Sequence, residues 1–345
     1  MGREMPSKLP FSKCLPHQIA ATVILIALAS AQTSAPAPSP ALLVLEKDKH
    51  MLAIIDPATL KIVGRVAAGD DPHEVAVSAD GKTAYITNYG AFSTPLHTIS
   101  VVDLVAQKSL PAIDLGALRA PHGIQTVSDK VYFTAEGSKA IGRYDPAIGK
   151  VDWILGVGEN RDHMLFVTAD EQLIFSSDVN SDAISIFERD KQADVSGWQQ
   201  TRISVGKGPE GFALSPDGKE LWAANSHDGT VSVIDVASKK VVQTFDLHTK
   251  FANRVRFTPD GRRVLISDLG TGDLVVVDAH ARKEEKRISL GHGAAGILVP
   301  PDGARAYIAV SRDNYIAVLD LSTLAVTGRI ETGNGPDGMA WAVRK

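Results

Sequence analysis

Hydrophobic and polar positions alternate in short bursts along this chain, not at helical spacing. Runs such as "TAYITN" (83–88), "TVSVID" (230–235) and "KVVQTF" (240–245) are rich in β-branched residues, and turn-forming Gly, Asp and Asn interrupt them every few positions. That pattern predicts short strands joined by tight turns. "DPHEVAVSADGKTAYITN" (71–88) contains the whole unit: a strand, a turn and a second strand. The Asp-Gly pairs at Asp80-Gly81, Asp217-Gly218, Asp260-Gly261 and Asp302-Gly303 predict two-residue hairpins, because such turns require positive φ.

The unit recurs. "PEGFALSPDGKELWAANSHDGTVSVIDVASKKVVQTFDL" (209–247) follows the plan of residues 72–115, as do residues 253–291 and 295–333. Two degenerate copies begin at Pro121-His122 and Asp162-His163. An acid closes the third strand of every copy: Asp56, Asp103, Asp145, Glu188, Asp235, Asp278 and Asp320, spaced 42 to 47 residues apart. This is the period of a four-stranded propeller blade, and the acids suit turn caps that accept backbone N–H groups. The last copy stops after one strand, "GMAWAVRK", whereas residues 41–69 supply three strands and lack a first. The two ends complete each other, with "MAWAVRK" pairing with "ALLVLEK". The fold expected is all-β: a seven-bladed β-propeller of four-stranded antiparallel blades, the last blade closed by both termini, which leaves no open sheet edge.

The stretches "SADGKTAYITN" and "SPDGKELWAANSHDGTVSVID" resemble the YVTN β-propeller repeat family, over nearly the whole chain beyond residue 40. The resemblance implies the propeller fold. For function it implies a spread: lactone hydrolases, haem- and copper-bearing propellers of nitrogen metabolism, and exported proteins with no assigned reaction. Fold does not choose among them.

Composition adds the compartment. Arg3, Lys8 and Lys13 precede an apolar run, "IAATVILIALASA" (19–31), that ends in Ala29-Ser30-Ala31. Residues 1–31 therefore read as a signal peptide, with a retained anchor as the alternative, 32–40 as a Pro/Ala-rich tether and 41–345 as one propeller domain. The expected location is periplasmic or secreted, with no membrane span after cleavage. Cys14 is the only cysteine and lies before the apolar run, so the exported chain has no disulfide and no thiolate site. That chain carries 33 Lys and Arg against 39 Asp and Glu, a poor composition for nucleic-acid binding.

The candidate chemistry comes from face assignment. Loops entering first strands, and those joining second to third strands, lie on one face of a propeller, here called upper. His73, His122, His163, His248 and His292 belong to the first kind of loop, and His50, His97 and His227 to the second; only His280 falls on the lower face. Position 73 has seven equivalents: His73, His122, His163, Glu210, Asn253, Ala295 and Asp337. They should ring the mouth of the central channel. His73, His122, His163 and Glu210 form a donor set suited to Cu, Zn or Fe, with Glu74 or Glu136 behind them to hold the imidazole tautomers. The alternative is a hydrated ring of polar side chains with no ion. Glu74, Tyr89, Glu136 and Asn253 are candidate ligand-binding residues, and Asp337 or His227 candidate proton carriers. Three functions follow. The first is an exported binding module that holds a small molecule, a metal or a protein partner's loop at the upper mouth. The second is a metal-dependent lactonase, lyase or oxidase, so enzymatic activity stays open. The third is an accessory redox propeller, which would need a partner because the chain has no C-x-x-C-H haem attachment.

Overall fold

The computed structural model describes residues 37–91, 93–190, 192 and 197–345. Residues 1–31, the expected signal peptide, and most of the expected tether lie outside these residues. The described chain forms seven four-stranded antiparallel sheets, each one blade. In chain order the blades span 72–114, 121–156, 162–204, 209–246, 252–289 and 294–331, and the seventh combines 41–67 with 336–342. Closure is as expected. Pro336–Ala342 runs antiparallel to Ala41–Glu46, with Leu43 opposite Ala340 and Val44 opposite Met339. Glu46 is almost fully buried and strengthens this seam: it accepts from the Gly333 N–H at 2.7 Å and from the guanidinium of Arg65. No helix among the described residues is long and apolar enough to cross a membrane.

The core lies between blades. Second and third strands bury nearly every residue because both of their faces pack on neighbouring sheets, while outer strands such as Lys61–Ala67 alternate exposed and covered positions. Trp222 shows the arrangement: it is fully buried, 5.5 Å from Phe245 in its own blade and 5.7 Å from Phe257 in the next. Trp222 and Phe212, each in a buried apolar cluster, are thus packing residues.

At the axis the first strands approach one another at backbone distance. A Cβ on Gly296 would stand 2.1 Å from the Asp337 carbonyl oxygen, and one on Gly338 would stand 2.4 Å from that of His73. Hydroxyls from second strands complete the ring. Thr87 donates to the His122 carbonyl at 2.7 Å, Thr134 to that of His163 at 2.7 Å, Ser177 to that of Glu210 at 2.9 Å and Ser267 to that of Ala295 at 2.6 Å. Ser226 and Ser311 make the corresponding bonds one residue earlier, to Ala252 and Pro336. The backbone carrying six of the seven mouth residues is therefore held by its neighbour, His73 being the exception.

Two local expectations need correction. The Asp-Gly turns are loops of five or six residues, not two-residue hairpins: Val77 ends one strand and Thr83 starts the next, and Leu298 and Arg305 bound the last of them. Gly81 does have positive φ (72°), but Asp80 does not, since its carboxylate is used to accept from Ser78 Oγ and the Lys82 N–H. Those side-chain bonds stabilise the wider loop. His97, assigned to a loop, lies within the strand Thr94–Asp103, because the second hairpin of the first blade is longer than its counterparts. The third-strand acids cap as expected: Asp56, Asp103, Asp145, Asp235, Asp278 and Asp320 each accept from a following backbone N–H. Glu188 instead pairs with Lys239 of the next blade.

Truncation after Gly335 should remove the inner strand of the seventh blade and unpair Leu42–Val44. At roughly 1 kcal/mol per lost ladder bond plus the exposed apolar surface, several kcal/mol should be lost. A lowered, broadened unfolding transition by circular dichroism is expected; an unchanged midpoint would mean that the ring does not depend on this seam.

Candidate functional site

All seven mouth positions line a single upper cavity of ≈ 680 Å³: His73, His122, His163, Glu210, Asn253, Ala295 and Asp337. Each sits at the start of a first strand, where neighbouring blades converge. The three imidazoles are consecutive around the axis. His73 and His122 have ring centroids 4.5 Å apart, and His122 and His163 are 3.7 Å apart with planes 33° from parallel. The mouth is not a hydrated ring throughout: His122, His163 and Glu210 are nearly inaccessible, at 1%, 3% and 3% exposure.

His163 lies between two carboxylates. Its Nδ1 hydrogen-bonds Glu136 Oε1, and its Nε2 is 2.9 Å from Glu210 Oε2, off the hydrogen-bond line. Burial opposes a charge on this imidazole, but Glu210 and Glu136 outweigh it and push the ring up to about 9. Glu210 answers in the other direction: burial raises it, yet His163 and Arg161 hold it down to about 2. Glu136 is likewise held below its ordinary range, with burial overcome by His163 and by the Tyr89 hydroxyl, which donates to its Oε2 at 2.6 Å. His122 takes the opposite state. Burial, followed by the charges of His163 and His73, holds it well below the ordinary histidine range. Its Nδ1 is buried with no hydrogen-bond partner. Equivalent imidazoles thus divide into one cation and one neutral donor.

The remaining candidates are spread around this pair. His73 Nε2 lies 3.0 Å from Lys47 Nζ, which also approaches Asp71 and Asp337 at 3.7 and 3.6 Å. Asn253 accepts from Arg254 Nη1 at 3.2 Å. Glu74 points across the channel and pairs with Arg254 of the fifth blade, both buried. Asp337 lines the cavity, but His227 does not: it sits by Phe251, with ring centroids 6.0 Å apart. The compact donor group is His122, Glu136 and His163, whose ligand atoms lie within 4.8 Å of one another. His73 and Glu210 adjoin that group without belonging to it.

Sequence reasoning missed the cations. Lys47, Arg161, Arg254 and Arg312 all line the cavity. The signal was available, because the face assignment used for histidines applies equally to "EKDKH" and "NRDHM". It also missed a buried acid pair behind His163. Asp162 stands where four other blades have proline (Pro72, Pro121, Pro209, Pro336), fully buried, with Ser176 between it and Asp178. Burial, then Asp178, pushes Asp162 well above the ordinary carboxyl range, and burial pushes Asp178 up to about 7.

The protein-family comparison matches residues 96–304 to the family described as Cytochrome D1 heme domain. No curated protein matches the sequence significantly. Among solved structures, a functionally unknown protein from Desulfotomaculum acetoxidans aligns with TM-score 0.73 and 13% identity, over 89% of this chain and 100% of its own. The periplasmic gluconolactonase of Pseudomonas aeruginosa aligns with TM-score 0.71 and 17% identity, over 89% and 100%. Kuenenia stuttgartiensis hydrazine synthase aligns with TM-score 0.64 and 19% identity, over 79% of this chain and 92% of its own. At these identities the likeness concerns the fold.

Asp178 makes a pH-dependent contribution to stability. Its native carboxyl stays protonated up to about 7, while the unfolded one ionises near the ordinary aspartate value of 3.8. The native state then binds more protons, so this contribution falls as pH rises from about 4 to about 7, by up to ~1 kcal/mol per unit. Asp178 accepts from Ser185 at 2.7 Å, and Asn88 and Asn225, at the equivalent position in other blades, bond the serines equivalent to Ser185, which are Ser100 and Ser232. Asp178→Asn should therefore fold, and should raise the unfolding midpoint more at pH 7.5 than at pH 4.5. A gain independent of pH would exclude the buried titration.

Proposed function

The chain belongs to the Cytochrome D1 heme domain family, and from that premise we propose that its upper mouth is a ligand-binding site built around a divalent transition metal ion held by His122, Glu136 and His163. The observation that carries this reading is the convergence of one donor atom from each of these residues within 4.8 Å. Two imidazoles and a carboxylate suit zinc, copper or non-haem iron. The ion would take the place of the proton between His163 and Glu136. Lys47, Arg254 and Arg312 around the same cavity favour an anionic small molecule beside it. The YVTN-type repeats and the N-terminal segment support an exported, periplasmic or secreted module of this kind, with a protein partner's loop as the other possible occupant of the upper face.

The family name brings a haem into consideration, and the residues present do not fit one. A haem needs an axial donor free to face its iron, and apolar walls along the macrocycle. Here His73 Nε2 is taken by Lys47 and both nitrogens of His163 face carboxylates, so the walls decide the fit. The apolar wall amounts to Phe251, Leu269 and Ala295. A small ion inside the cluster needs no such slot.

A second reading, a metal-dependent hydrolase, is favoured by the open cavity against the His122–His163 pair. A bound ion would lower the pKa of water there, and Asp337 could accept a proton on the cavity wall.

Elemental analysis of untagged protein should find copper, zinc or iron near one equivalent. Calorimetric titration with Zn²⁺, Cu²⁺ and Fe²⁺ should show His122→Ala and Glu136→Gln weakening the tightest ion roughly 10- to 100-fold. His280→Ala, at a separate cavity on the lower face, should leave it unchanged. Equal affinities across the three variants would reject the site.

A further inference from the structure

The first blade differs from the others in one respect. Its second hairpin, Thr83–Ala91 with Thr94–Asp103, carries two extra pairs, Gly90 with Pro95 and Ala91 with Thr94. Gly90 allows the bend: its φ is +81°, and a Cβ there would meet the Thr94 carbonyl at 2.6 Å. The extension makes one wall of a second cavity of ≈ 330 Å³ on the upper face. Tyr89, Ala91, Pro95 and Ala120 offer it an apolar surface, while Lys139, Asn160, Arg161 and Asn180 offer hydrogen-bond donors.

Charge decides what this cavity would accept. Among the described residues Glu136 is the only acid in its wall. Glu136 and Glu210 are balanced by His163 and Arg161, which sits 3.6 Å from Glu136 Oε2 and 3.2 Å from Glu210 Oε1. Lys139 is exposed, and among the described residues no acid pairs with it. Arg161 approaches Glu136 through its buried Nε, beyond hydrogen-bond distance, and Glu210 through Nη1. It lines both cavities and forms the partition between them.

We infer that this second cavity binds a small organic acid, its carboxylate directed to Arg161 and Lys139 and its compact apolar body packed against Tyr89, Ala91, Pro95 and Ala120. The volume lies at the low end of small-molecule sites. Charge-assisted bonds to a carboxylate are stronger than those to a neutral amide of the same shape, so the site should discriminate between the two.

The test uses the full chain in excess EDTA, which removes any dependence on the metal reading. Phenylacetate, benzoate and isovalerate are titrated by calorimetry and ligand-observed NMR, with phenylacetamide as the neutral match. At least one acid should bind with Kd below about 1 mM, and phenylacetate should bind at least about tenfold more tightly than phenylacetamide. Lys139→Gln, at an exposed position, should weaken the acids severalfold and leave the amide unchanged. Ala91→Trp should fill the cavity and abolish binding of both, with the unfolding midpoint checked alongside; if that variant does not fold, Lys139→Gln decides alone. No saturable binding of any acid, equal affinity for acid and amide, or indifference to both substitutions would overturn the inference.

Discussion

The hydroxyl-to-carbonyl bonds between neighbouring blades are the constraint on which the rest of this molecule depends. Thr87, Thr134, Ser177 and Ser267 each reach the carbonyl of a mouth residue in the next blade. Hydrophobic packing alone would hold adjacent sheets together without fixing their rotation, since apolar contact is not directional. A buried hydroxyl bound to a particular carbonyl is directional, and breaking it leaves two unsatisfied polar groups. His122, His163 and Glu210 therefore project from backbone that cannot turn without that cost. The seam between seventh and first blades has Leu45 at the equivalent position, within an apolar cluster that includes Val75 and Ile86. Packing replaces the hydroxyl there.

This rigidity explains the division among the histidines. Crowded imidazoles free to move would separate or all shed their protons. Held 3.7 Å apart, His122 and His163 are distinguished by what lies on their far sides. His163 has a carboxylate at each nitrogen and keeps its proton, and that charge helps to keep His122 neutral. Tyr89 and Arg161 complete the arrangement by bonding or pairing the same carboxylates.

The fold was legible because it repeats: seven copies of one pattern tell more than any single copy. The equivalence of His73, His122 and His163 was legible for the same reason. That Glu136 could stand behind the imidazoles was legible too, but not which imidazole it holds, since Glu136 follows the second strand of one blade and His163 opens the first strand of the next. No spacing rule links them. The Asp-Gly turns misled because the dipeptide is only half the signal. Ser78, two residues before Asp80, adds a side-chain bond that makes a wider loop the better solution. His97 was misplaced because the first blade departs from the repeat at that point, and repeat-based assignment cannot see a departure confined to one copy.

The pairing of Glu74 with Arg254 has a mechanical meaning. In four of the seven blades the residue after the mouth position is glycine, which adds nothing to the channel: Gly123, Gly211, Gly296 and Gly338. In the first and fifth blades it is an acid and a base, and these two blades are as nearly opposite as a sevenfold ring permits. Their buried contact crosses the axis as a spoke joins two points on a rim. A ring secured only around its circumference resists opening but deforms readily into an oval. A spoke resists that deformation along its own line. The channel beneath the mouth is also crossed at this level, so a molecule held in the upper cavity meets a paired acid and base before it can pass further down the axis.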